Sequence, residues 1–550
     1  MSSRPLMKLW SRGRLLDALL LSAFVLVHLV VTVLWLRDNH MDLDRVQDEL
    51  AHYWGLTNLH TAMSLDPLTG ALNSLRATHI NYPLVTHLPR AVAGLLFGGT
   101  PLVFCAANAL YLTVLLVSVY GIGVRCHGRA AGLLAAGLAS LMPAAYGGMR
   151  SVGLDFPVTC MTALAMLALL RAEGFRRLPA AAGFGVCAGL AILIKGQAAL
   201  FLFWPAAAAL VHGLWQQRRD GDPVWRPLAG GALAVALLLG TTAVWWLGRL
   251  GPMAAYLTSH STGQGMRDVA GDISLWGGVV CYLKALPLSM SAPLALGALL
   301  ALPLFLRRGR HRWEILAWLV APLALHMALS VRHARYIYPL LPAAAVLLAV
   351  GLCTLRSRLQ AAAAVTAGAL AVAGWLSCTY LQHPTPGTVR PLRCYFEIPP
   401  ELVKTSDVLN SLLACGTWQV AGSPSPPQQA THHRTAAELV RHLSAGAANG
   451  EEILIYADEV DRAATTALQV RRALPTALFL DTRQAGLLLP NKPDHRRLTF
   501  VLWAGHRPAP PAEGAAHVAG PLPFRSALGD MGQMSLYRFD GRATAWPHIR

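Results

Sequence analysis

The spacing of its apolar runs constrains this chain more than anything else in it. Blocks rich in Leu, Ala and Val recur from Leu15 to about residue 381. Each is about 18–22 residues long, the length at which an α-helix crosses a bilayer. A soluble fold would leave such helices no polar face to give to water. The chain therefore reads as a polytopic α-helical membrane protein. Composition agrees, since 54% of the 550 residues are hydrophobic and 13% are charged, about half the charged share of a soluble domain. A formal charge of +18 would suit nucleic acid. The basic residues, however, stand in short loops between apolar blocks, where the positive-inside rule places them. A nucleic-acid partner is rejected on that ground.

Spans are expected at 15–36, 102–124, 129–147, 154–171, 179–195, 198–215, 228–247, 287–306, 313–331, 336–355 and 361–381, about eleven in all. The first run is too long for a signal-peptide core, and no small-residue cleavage site follows it. With Arg4, Lys8, Arg12 and Arg14 ahead of it, it reads as an uncleaved helix whose N-terminus faces the cytoplasm. Alternate connections, "RCHGR", "RAEGFRR", "WQQRRDGDPVWR", "LRRGRHR" and "RSR", are basic and fall on that same side. The opposite side takes the acidic loop 37–100, "MRSVGLD", "LIKGQ", the loop 248–286 and "SVRHARY". An odd count sends the tail out of the cytosol. The break at "KGQ" is the thinnest. The expected domains are a transmembrane domain over 1–382 and a soluble extracytoplasmic domain over 383–550.

The tail changes character. "EEILIYA", "TALFLDT", "RLTFVLWAG" and "MSLYRFD" read as strands, and "DEVDRAATTALQVRRAL" as a helix. Pro-rich stretches punctuate them, and the result reads as a small α/β domain. Cys394 and Cys415 lie in this tail and pair only if it meets an oxidising compartment. Cys105, Cys160, Cys187, Cys281 and Cys353 read as small buried hydrophobes, and no CxxC motif occurs.

Five segments carry candidate chemistry. In "RDNHMDLDRVQDELAHYWGL" (Arg37–Leu56) five acids, Asp38, Asp42, Asp44, Asp48 and Glu49, gather beside an apolar run. Val46, Leu50, Tyr53, Trp54 and Leu56 make an apolar stripe, with Asp44, Asp48 and His52 four apart on another face. This is either a solvated acidic loop or an amphipathic helix on the membrane surface whose carboxylates serve as bases. Asp155, in "GMRSVGLDFPVTC", opens a span. It is either a helix N-cap ahead of Pro157 or a functional acid at the bilayer edge. Lys195, in "GLAILIKGQ", either snorkels or meets a lipid phosphate. Arg332, His333 and Arg335 cluster at an outer mouth, against the positive-inside preference, and arginine suits a phosphate. His79, Tyr82, His87 and Arg90 lie on the same side. No metal-ligand spacing is present among them, which leaves a divalent metal neither required nor excluded.

In this order the five segments resemble the GT-C superfamily of membrane glycosyltransferases. The similarity is greatest to the protein O-mannosyltransferases and the lipid A aminoarabinose transferases. It rests on Asp48-Glu49, Tyr82-Pro83-Leu84, Asp155, "GLAILIKG" ending at Lys195-Gly196, and "RYIYPLLP" from Arg335, and it covers about residues 15–355. The resemblance implies an integral protein of a bacterial-type plasma membrane and an inverting transfer of a sugar from a polyprenyl-phosphate donor to a hydroxyl acceptor. The acceptor is a protein, a lipid or a cell-envelope glycan. Carried over by position, Asp48 is the catalytic carboxylate, and Glu49 and Asp155 assist. Lys195, Arg332, His333, Arg335, Tyr82 and His87 face the lipid phosphate or the acceptor. Two positions depart from the pattern. Tyr82 stands where aminoarabinose transferases carry a lysine, and His52-Tyr53 replaces the usual aromatic after the acid pair. A transporter or flippase, which would favour paired ionisable residues at mid-span, and an inactive homologue are the other readings.

Overall fold

The computed structural model describes residues 4–38, 47–76, 83–249, 251, 274–329, 334–376, 437–443, 452–457, 478–481, 497–505, 515–525 and 531–539. Tyr82, Arg332, His333, Cys394, Cys415, His79 and the helix expected over 458–474 lie outside them. By contacts the chain divides into two units. One comprises Met1–Trp35 with Asn108–Val420, and the other Leu36–Ala107 with Ala421–Arg550.

The first unit is helical. It contains most of α1 (Arg4–Asp38), then α6 (Asn108–His127), α7 (Arg129–Ser140), α8 (Pro143–Met149), α9 (Asp155–Arg171), α10 (Leu178–Ile194), α11 (Ala198–Asp220) and α12 (Trp225–Trp246). After these come α13 (Leu275–Met290), α14 (Ala292–Arg308), α15 (Arg312–Ala328), a 3₁₀ turn at Ala334–Leu340, α16 (Leu341–Cys353) and α17 (Ser357–Leu376). Each of the eleven apolar runs coincides with a helix or a broken helix. Among the described residues six helices are long and apolar enough to cross a membrane, and two bent pairs raise the number to eight. The pairs are α7–α8, bent by 62°, and α13–α14, bent by 107°. α9, α10 and α15 have 17 residues each, about 25 Å of helix. Leu15, Leu19, Leu26 and Val30 of α1 and Val365 and Leu370 of α17 point outward, as they must against lipid. α16 is buried from Leu341 to Gly351 and packs on α14, α7 and α6. The protein is an integral membrane protein.

Close helix contacts come from small residues. Gly185 and Gly189, four apart in "GVCAG", face α12, and a Cβ at Gly189 would stand 2.7 Å from Thr241 Cβ. With no hydrophobic drive between helices in lipid, van der Waals contact of this kind holds them together. The N-terminal helix is tied in by charge. Asp17, buried in α1, takes Arg129 Nε at 2.7 Å and the Tyr120 hydroxyl at 2.6 Å.

The second unit joins sequence-distant pieces. Its helices are α2 (Gln47–Leu65), α3 (Pro67–Arg76), α4 (Leu88–Phe97) and α5 (Pro101–Ala106). Its strands are β1 (Glu452–Ala457), β2 (Leu478–Asp481), β3 (Arg497–Gly505), β4 (Ala515–Arg525) and β5 (Met531–Phe539), in the order β2-β1-β3-β5-β4. β1 runs parallel to β2 and β3, and β5 is antiparallel to β3 and β4. The four expected strands are present. β4 was not foreseen, because Gly520 and Pro521-Leu522-Pro523 interrupt its alternation. α2 packs on α3 and α4 and against β2. Of the two readings of this segment, the helix is the one present, over Gln47–Leu65. Residues from Gly55 to Met63 are all buried, including polar Thr57, Asn58 and Thr61.

Candidate active site

The site forms where three chain breaks meet in the first unit. The turn before α9 is held by Asn108, whose amide donates to the carbonyls of Gly148, Met149 and Ser151 at 3.4, 3.0 and 2.6 Å. Leu154 is the N-cap and offers no side-chain cap. Asp155, in the first helical turn, is therefore free of the capping role that the sequence allowed it. Its carboxylate is given to Lys195.

Lys195 ends α10 in extended conformation, φ −155° and ψ 119°. The helix stops at Ile194 and resumes at Ala198, so the thin break at "KGQ" is a real one. The turn directs Lys195 inward. Its Nζ lies 2.6 Å from Asp155 Oδ1, and the side chain is 11% exposed. The snorkelling alternative is thus excluded, since a buried and paired ammonium does not reach for the interface.

Arg335 opens the third break, the 3₁₀ turn ahead of α16. Its Nε stands 4.0 Å from Asp155 Oδ2, with 7% of the side chain exposed. Between the two cations lies Tyr336. Lys195 Nζ is 4.9 Å and Arg335 Cζ 5.8 Å from the centre of its ring. One carboxylate thus faces two buried cations and a π-face. The side chains are largely buried, and charged groups interact far more strongly there than at the surface.

The other expected residues fall elsewhere. Asp48 and Glu49 stand in the first turn of α2, and their side chains lie outside the described residues. His87 belongs to the second unit, where it is buried. Arg90 Nη1 donates to its Nδ1 at 2.9 Å, and the ring of His52 is 5.7 Å away. Burial, then the Arg90 guanidinium and His52, hold the His87 imidazole well below its ordinary 6.5. Tyr336 was quoted in the sequence but given no role. His326, buried in α15, and Gln197, beside Lys195, were passed over. An ionisable residue within an apolar run was the signal for the first. Among the described residues no group of three or more His, Cys, Asp or Glu is placed to hold a metal ion.

The fold of the chain is similar to that of ArnT, and part of its sequence is similar to the protein mannosyltransferases. Residues 82–246 match the family model described as dolichyl-phosphate-mannose-protein mannosyltransferase. The crystal structure of ArnT from Cupriavidus metallidurans, bound to undecaprenyl phosphate, matches with a TM-score of 0.53 at 16% identity, over 94% of this chain and 97% of that one. That likeness is one of fold. The oligosaccharyltransferase AglB of Archaeoglobus fulgidus, in complex with an inhibitory peptide and a dolichol-phosphate, gives a TM-score of 0.40 at 13% identity, over 88% of this chain and 69% of that one. No curated protein sequence matches the chain.

Proposed function

We infer that this protein is an inverting glycosyltransferase that takes its sugar from a polyprenyl-phosphate donor on the extracytoplasmic face. The observation that carries this reading is the convergence of two buried cations on Asp155, Lys195 at 2.6 Å and Arg335 at 4.0 Å. A lipid phosphate is the anion a membrane-edge site of this kind would take. The match of residues 82–246 to a family using a dolichyl-phosphate sugar supports it.

In this reading Asp48 removes the proton from the acceptor hydroxyl as its oxygen attacks the anomeric carbon from the face opposite the phosphate. The bond from that carbon to the phosphate oxygen breaks, and its electron pair leaves with the lipid phosphate. Lys195 and Arg335 stabilise the charge that develops there, joined by Arg332, His333 and Tyr82 from the same side. Asp155 acts as a positioning residue by orienting Lys195, and Glu49 and His87 support the acceptor side. The acceptor is a hydroxyl of a protein, lipid or cell-envelope glycan, and the C-terminal region lies outside the cytosol with α2.

The test is release of free polyprenyl phosphate from a mixed pool of lipid-linked sugars with crude cell-envelope acceptors. Wild type releases it and Asp48→Asn does not. Equal release by both moves the base to another carboxylate. Release by neither, from a complete pool, removes the transferase reading.

A further inference from the structure

Gln197 follows Lys195 by two residues, at the start of α11, and makes two bonds with one nitrogen. Its Nε2 donates to the Tyr336 carbonyl at 2.6 Å and lies 3.0 Å from His326 Nε2. The direction of the second bond is fixed by chemistry. His326 Nδ1 is 2.7 Å from the Pro322 carbonyl, which only accepts, so the ring proton is on Nδ1. His326 Nε2 is then an acceptor, and both amide hydrogens of Gln197 are used. The imidazole itself is held from two more sides. Phe201 of α11 stacks on it at 5.3 Å, and Tyr282 of α13 meets it edge-on at 6.1 Å.

We propose that Gln197 and His326 are positioning residues, a clamp that sets the Arg335–Tyr336 turn against the Lys195–Asp155 pair and so makes the site selective for a phosphate headgroup. Gln197 is two residues from one cation and grips the backbone of the residue next to the other. It thus links the chain beside Lys195 to the chain beside Arg335 without passing through Asp155. His326 contributes an acceptor that cannot turn away, because its other nitrogen is engaged and its faces are packed. The spacing of the two cations over the Tyr336 ring therefore depends on this amide. Neither residue touches the phosphate.

The inference rests on the polyprenyl-phosphate reading, and its test separates the two. Full-length protein in detergent is titrated with undecaprenyl phosphate and, separately, with undecaprenol, and the ratio of the two affinities is taken. A role in packing alone would weaken both lipids together and leave the ratio unchanged. Gln197→Met keeps the length of the side chain and removes both donors. Its phosphate-over-alcohol ratio is expected to fall by about ten-fold. His326→Phe keeps the stack on Phe201, removes the acceptor and lowers the ratio in the same direction. A folded Gln197→Met protein with the wild-type ratio overturns the clamp. Should that variant not fold, an unchanged ratio in His326→Phe overturns it instead. If wild type itself binds both lipids equally, the phosphate reading fails first and takes the clamp with it.

Discussion

Lys195 Nζ lies 2.6 Å from Asp155 Oδ1, with 11% and 13% of the two side chains exposed. The pair joins the end of α10 to the start of α9, two helices that pack on one another. Removing one member of such a pair leaves a buried charge without its partner, which costs about 3–5 kcal/mol, whereas an apolar replacement of both is close to neutral. Lys195→Met alone is therefore expected to lower stability by about 3 kcal/mol, measured by unfolding in detergent. Lys195→Met with Asp155→Leu regains most of that loss and shows no transferase activity. An active double variant would show the pair to be structural only.

Asp17 makes a contrasting ion pair, remote from the breaks that form the site. It holds Arg129 and Tyr120 at 2.7 and 2.6 Å, and so fastens α1 to α6 and α7. Asp17→Ala should cost about 2 kcal/mol, the worth of hydrogen bonds to a buried charge, and leave the turnover of the remaining folded protein unchanged. Thermal melting and activity per folded molecule check this together. A drop in turnover with unchanged melting contradicts it.

The Gly185 and Gly189 face of α10 predicts a packing defect. A methyl at Gly185 would strike the Ala234 backbone carbonyl of α12. The clash outweighs the roughly 1 kcal/mol of helix propensity that alanine offers over glycine, and overpacking costs about 1–3 kcal/mol. Gly185→Ala is expected to melt lower than wild type, while Gly183→Ala, at a position with open space around it, melts at or above it. Equal melting of the two would refute the close contact.

His87 gives the second unit an acid limit. Burial and the neighbouring Arg90 and His52 keep it neutral in the folded protein, well below 6.5. The unfolded chain binds a proton there near 6.5, so unfolding gains protons as pH falls, and stability rises with pH. The contribution is complete above about pH 6.5 and is lost progressively as pH falls toward the depressed folded value. His87→Gln keeps an acceptor for Arg90 without titrating. Denaturation midpoints between pH 7 and 5 should fall less steeply for it than for wild type, and identical slopes would contradict the assignment.

What the sequence made legible follows from chemistry that acts locally. The apolar runs predicted the helices of the first unit, because lipid leaves the backbone no alternative, except for most of α13 (Leu275–Met290), which falls in the loop expected over 248–286. Asp155, Lys195 and Arg335 stood out as charges beside long apolar stretches, and they meet. What stayed hidden depends on partners distant in sequence. Asp155 looked like an N-cap because its pairing with Lys195 spans 40 residues. α2 looked amphipathic because β2, which covers it, comes from the far end of the chain. His326 drew no reading from the sequence, because Gln197, which meets it, is distant along the chain.

The central claim is group transfer, and one reaction tests it most directly. The protein is reconstituted in sealed vesicles with a polyprenyl-phosphate sugar and an acceptor mixture, and mass spectrometry follows both products. Free polyprenyl phosphate and glycosylated acceptor should appear in equal amounts, with the anomeric configuration inverted. Movement of the intact lipid-linked sugar between leaflets, with no phosphate released, would contradict the account and identify a transporter.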